Sequence, residues 1–153
     1  MSEFQFKEFQ GYVGELTAIY KRTSKKSFKV NCSKDIDTFM RPYFDEILDD
    51  HEEMKVIYFS NITEVMHVKE LSVGGLTGTL VDIRLILRDA LILCTPAIAL
   101  LHNHPSGGLR PSQADISLTE KIKKGAKLFD INVLDHLIMT RESYFSFADE
   151  GLI

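Results

Sequence analysis

The chain has 153 residues, 44% hydrophobic and 26% charged, enough for one domain with a real core and too few for two ordinary ones. A formal net charge of −4 and a pI near 5.7 exclude the broad positive footprint of a nucleic-acid-binding surface. The longest apolar run, Ala90 to Leu101, contains Pro96 and is too short to span a bilayer, and Met1 to Gly11 lacks an apolar signal-peptide core, so the expectation is a soluble, cytoplasmic protein with no membrane association.

Taken in chain order, Phe9 to Tyr20 is rich in β-formers and alternates loosely, which predicts a strand. Lys21-Arg22-Thr23-Ser24-Lys25-Lys26 reads as a solvated loop rather than a nucleic-acid patch. Ser33 can cap a helix over Lys34–Leu48, with Ile36, Phe39, Met40, Phe44 and Leu48 at helical spacing. Met54–Phe59 and Thr63–Leu71 then read as strands around a Ser60-Asn61 turn, followed by a glycine-rich connection over Val73–Thr79. That connection lacks both a following Lys-Ser/Thr and the G-x-G-x-x-G spacing, so its glycines are read as permitting a bulge or a close backbone approach, not as a phosphate loop.

Asp82 is placed to cap a helix reaching about Cys94, with Ile83, Ile86, Leu87, Ala90 and Leu91 on its buried face. Cys32 and Cys94 form no CxxC pair, and Cys94 reads as a small buried hydrophobe. Ala97–Leu101 is a short, wholly apolar strand, which predicts burial on both faces. A helix over Gln113–Phe129, a strand over Ile131–Thr140 and a short one over Tyr144–Phe147 complete the pattern. Strands and helices alternate, predicting an α/β sandwich whose sites sit on the loops that follow buried strands.

The apolar strand runs straight into His102-Asn103-His104, with Ser112 and Asp115 beyond. Histidines two apart on an extended segment face the same way and offer neutral nitrogens to a borderline-soft divalent ion. Asp115 can return a carboxylate oxygen from the next helix, and three protein ligands with a fourth place open is the arrangement of catalytic rather than structural zinc. Ser112 and Asp115 also read as a capping box, and the two readings are compatible. His, His, Ser and Asp at these offsets arise by accident in on the order of one chain in a few thousand.

Hydrolysis at such a site also needs a carboxylate that is not a ligand to move protons. Glu70, closing an apolar-rich strand just before the glycines, is the candidate base, and Glu64, beside a turn, is the weaker one. Ser112 offers a hydroxyl to a developing oxyanion. His136, inside the apolar Leu134–Ile138 segment, reads as a core or ligand-supporting residue before it reads as a ligand.

The string His102-Asn103-His104, seven residues, Ser112, two residues, Asp115 resembles the JAMM signature of the JAB/MPN metalloprotease superfamily. With Val133-Leu134-Asp135-His136 and Tyr144-Phe145-Ser146-Phe147 it is similar to the RadC-like branch, from about Glu53 to the C-terminus. The resemblance implies a single domain over residues 1–153, with a poorly matched N-terminal strand and helix over 1–50. It also implies a JAB/MPN-type, cytidine-deaminase-like mixed sheet flanked by helices. As a site it implies Zn2+ held by His102, His104 and Asp115, Ser112 assisting at the oxyanion, and a glutamate base for which Glu70 fits best.

The expected function is therefore a zinc-dependent hydrolase acting on a peptide or isopeptide-like amide of an unknown peptide or protein. A DNA-repair role, which RadC-like proteins carry as a label, has no support in this acidic chain, whose Lys121, Lys123, Lys124 and Lys127 read as a solvated helix face. A zinc-binding interaction module without turnover is the alternative if Glu70 is misplaced. A zinc nucleobase deaminase lacks its H-x-E and P-C-x-x-C elements here. Homo-oligomerisation is left open by the sequence.

Overall fold

Two strands are buried along their whole length, β1 (Glu53–Phe59) and β3 (Ala97–Asn103), and they pair antiparallel at the middle of the sheet with Met54 opposite His102 and Phe59 opposite Ala97. The computed structural model describes residues 15–21, 23–73 and 81–153, with 72 and 73 described by backbone alone. Within them the sheet has five strands in the order β2-β1-β3-β4-β5, where β2 is Val65–Val73, β4 is Asn132–Met139 and β5 is Tyr144–Ser146. β3 and β4 are parallel while the other described pairs are antiparallel. A parallel pair needs a crossover, which the helix α3 (Gln113–Lys127) supplies.

Strand alternation divides the core in two. Ile57, Phe59, Ala99 and Leu101 face Ile36, Met40, Phe44 and Leu48, from α1 (Ser33–Met40) and the turns that follow it. Val56, Tyr58, Ile98 and Leu100 face Ile86 and Ala90 of α2 (Ile83–Leu93) and Ile122 and Ala126 of α3. The result is a mixed α/β fold, a five-stranded mixed sheet between helical layers, as the alternation of elements predicts. Met54 and His102 share the α2/α3 face. Lys55, Leu101 and Asn103 point to the other.

Several expectations need correction. Residues 15–20 form no strand and are exposed, while 9–14 lie outside the described residues, as does the glycine-rich connection beyond Val73. The first helix stops at Met40 because Pro42 has no N–H to continue the ladder, although Arg41 before it keeps helical backbone. The chain tightens into a 3-10 turn over Arg41–Tyr43 and continues in turns, yet Phe44 and Leu48 stay buried. Cys32, not Ser33, is the N-cap residue, and the Ser33 hydroxyl instead donates to Asp149 Oδ2 at 2.5 Å. Cys94 is exposed rather than buried: it closes α2 in the left-handed conformation, at φ 49°, which turns its side chain out of the core.

Candidate metal centre

β3 ends at Asn103, but the His104 amide still donates to Met139 O at 2.9 Å, so the chain stays extended long enough to hold both histidines beside the α3 end of the sheet. The chain then turns through Gly107, at φ 78°, a left-handed conformation that glycine adopts without cost from a Cβ. That turn brings Gly108 O to 2.7 Å from His104 Nδ1. A carbonyl only accepts, so His104 Nδ1 carries a proton and its Nε2 is the atom turned inward.

Asp115 arrives in the first turn of α3, held by the predicted capping box. Its amide donates to Ser112 Oγ at 3.1 Å, while its Oδ2 accepts from the Ser112 amide and hydroxyl, each at 2.7 Å. Asp115 Oδ1 lies 3.3 Å from His102 Nε2, Asp115 Oδ2 lies 3.7 Å from His104 Nε2, and the two Nε2 atoms are 2.9 Å apart. One donor atom from each residue falls within 4.8 Å of the others.

This donor set fits a divalent cation. Two imidazole nitrogens and a carboxylate converge within reach of a single ion, and two nitrogens with one oxygen suit zinc. Burial holds His102, only 2% exposed, down to about 4 against the pull of Asp115, so it is neutral near pH 7, which is the ligating form. Burial alone would raise the Asp115 carboxyl, but His104, His102 and Ser112 together keep it well below the usual carboxylate range. The same Asp115 raises His104.

His136 is not brought into the donor set. It is fully buried, stacked on Phe147 with centroids 4.7 Å apart, and both ring nitrogens are engaged: Nε2 is 2.8 Å from His102 Nδ1 and Nδ1 is 2.6 Å from Thr119 Oγ1.

Glu70 is not brought there either, which corrects its assignment as base. β1 pairs Lys55 with Glu70 but Met54 with His102, so alternation places Glu70 on the α1 face, opposite the donor set. Its carboxylate is 53% exposed and ion-paired with Lys55 Nζ at 3.2 Å. Lys55 also binds the buried Glu53 and lies over the Phe44 ring at 4.9 Å, within the α1-side core. Glu64, just before the other end of β2, pairs through its backbone with Lys29 in an isolated antiparallel bridge.

Among the described residues, the further acid whose carboxyl feels the charges of His104 and Asp115 is Glu52, which has no motif to mark it in the sequence. It immediately precedes β1, is half-buried, and shares the parity of Met54. Burial raises its carboxyl, and the charges of His104 and Asp115 act on it in opposite senses. The peptides on both sides of it are tied to Asn103, the residue between the two histidines. Asn103 Oδ1 accepts from the Glu53 amide at 2.8 Å, and its Nδ2 donates to His51 O at 2.8 Å, Ile47 O at 3.1 Å and Leu48 O at 3.3 Å. The available signal was a pair of acids, Glu52-Glu53, entering an apolar-rich strand. Choosing between them and Glu70 required the strand pairing.

A mixed sheet carrying two histidines at the end of a buried strand and an acid on the following helix is the framework of a JAB/MPN-type domain. The chain belongs to the RadC-like JAB domain family, which it matches over residues 30–152. That match takes in α1 and so begins well before Glu53, where the motif resemblance starts. Among its relatives, a UPF0758 protein of Flavobacterium johnsoniae is 44% identical over 81% of this chain and 53% of its own length. Others of Porphyromonas gingivalis and Methanosarcina mazei are 45% and 34% identical, over 67% and 82% of this chain and 45% and 54% of their own lengths. The chain thus spans about half the length of the curated relatives it matches. No described helix is long and apolar enough to cross a membrane.

Proposed function

We propose that this domain is a zinc-dependent hydrolase of the JAMM type, cleaving a peptide or isopeptide-like amide in a peptide or protein substrate. The observation that carries the reading is the convergence of His102, His104 and Asp115, with the half-buried Glu52 electrostatically coupled to two of them. Zinc at such a set lowers the pKa of a water toward neutrality and polarises a carbonyl.

The protein's part follows from its residues. The two imidazoles are held with Nε2 inward, and Asp115 supplies the negative charge. Glu52, whose raised carboxyl can accept a proton nearer neutral pH, takes one from the attacking water and passes it to the leaving nitrogen. Ser112 at present gives its proton to Asp115 Oδ2, so donation to a developing oxyanion requires the hydroxyl to turn away from that carboxylate.

Glu70's position was the condition for a zinc-binding module without turnover; Glu52 supplies an acid where Glu70 does not, and favours hydrolysis. Direct nucleic-acid binding is not part of the proposal. The test is to incubate the zinc-loaded chain with a proteome-derived peptide library and to find new termini by mass spectrometry. Wild type and Glu70→Gln should cleave alike, and Glu52→Gln should retain zinc without cleaving. Cleavage by Glu52→Gln at the wild-type rate, or none by wild type, overturns the reading.

A further inference from the structure

We propose that Thr119 and His136 form a relay that sets the tautomer of His102, making both positioning residues for the metal centre. The inference rests on the reading of His102, His104 and Asp115 as ligands. Thr119 Oγ1 lies 2.7 Å from Asp115 O and 2.6 Å from His136 Nδ1. A hydroxyl has one proton, and a carbonyl can only accept. The Thr119 proton therefore goes to Asp115 O, and His136 Nδ1–H donates to Thr119 Oγ1.

His136 is 0% exposed, and a charged ring there, with only a hydroxyl and another imidazole as hydrogen-bond partners, is strongly disfavoured. The ring is neutral, so with its one proton on Nδ1 its Nε2 must accept. The atom facing it at 2.8 Å is His102 Nδ1, which must then be the donor. In a neutral ring this leaves His102 Nε2 its lone pair, on the side of Asp115 Oδ1 and His104 Nε2. His104 Nδ1 is held as a donor by a separate contact, to Gly108 O.

The relay closes on itself. Thr119 lies one helical turn after Asp115, so α3 delivers both the acid ligand and, through that acid's own carbonyl, the anchor that orients the histidine ligand opposite it. Histidine ligands held this way through their second nitrogen are oriented and kept in the ligating tautomer.

A structural role alone, with His136 packed on Phe147 and Thr119 filling space, makes different predictions. Thr119→Val keeps the branched shape and removes the hydroxyl, which leaves His136 Nδ1 without a partner and favours the tautomer that donates from Nε2. That tautomer turns the His102 proton onto Nε2, the atom needed for the metal. Thr119→Ser restores the hydroxyl with less packing.

Histidine ring tautomers are read in the metal-free chain by long-range proton–nitrogen NMR, and zinc affinity by competition with a chromophoric chelator. Wild type should show Nδ1–H tautomers for His102 and His136. Thr119→Val should move His102 toward Nε2–H and weaken zinc about 10–100-fold, and Thr119→Ser should return both to wild type. A wild-type His102 protonated on Nε2 overturns the proposal with no variant at all. So does a folded Thr119→Val with unchanged tautomer and zinc affinity. Wild type that shows the expected tautomers but binds no zinc supports the relay and removes the ligand reading beneath it.

Discussion

Asn103 shows how one side chain can join two halves of a site. Its neighbours in sequence, His102 and His104, face the donor set, while its own carboxamide crosses to the other side of β3 and ties down the residues flanking Glu52. Asn103→Ala leaves a buried amide and a group of carbonyls without partners, and should cost about 2–3 kcal/mol. Urea unfolding should show this as a lower midpoint at unchanged slope. Glu70→Gln should shift stability by no more than about 1 kcal/mol, as befits an exposed partner of an ion pair. The pH response belongs to Glu53. Burial would raise its carboxyl, but Lys55 and His51 hold it below the ordinary 4.5. A carboxyl depressed by folding contributes stability that is complete above pH 4.5 and is lost as pH falls through the depressed value. Acid unfolding of Glu53→Gln should lack that portion of the pH dependence.

Among the elements, α3 carries the most consequence, since its first turn caps the helix and presents Asp115 together. Ser112→Ala should cost about 1 kcal/mol from the lost cap, measured by thermal unfolding. Farther along, Gly125 lets α3 approach α2: an added Cβ would meet Leu87 Cδ1 at 3.2 Å. Leu87 is only half-buried and its methyl can give, so Gly125→Ala should be stabilising by about 0.5 kcal/mol through helix propensity. The start of α3 and the cap of α2 at Asp82 are legible in sequence because their signals are local, a hydroxyl or acid placed before an apolar period. The end of α1 is harder. Phe44 and Leu48 keep helical spacing and are buried, yet Pro42 makes the chain reach those positions through turns. Cys94 carries no local sign of its left-handed backbone, which glycine usually marks.

At the scale of the whole molecule, the face on which an acid falls depends on which strands pair and in what register. A register irregularity between Met54 and Lys55 sets Lys55 against Glu70, so the acid with the better local argument ends opposite the site. Glu52 gains its place only because β1 lies beside β3 with Met54 opposite His102. The motif His102 to Asp115, by contrast, spans one strand, one turn and one helix start, and its residues meet through connections that the sequence itself encodes. Binding coupled to folding follows: zinc at 100 times its dissociation constant should stabilise the chain by about 2.7 kcal/mol, reversed by chelator and absent in His104→Ala.

The zinc content of purified chain tests the central claim most directly, measured on wild type, His102→Ala and Glu52→Gln after removal of loosely held metal. Wild type and Glu52→Gln should each hold about one zinc per chain and folded His102→Ala none, since three protein ligands are needed and Glu52 is not among them. Wild type without zinc, or His102→Ala that keeps its full complement, would contradict it.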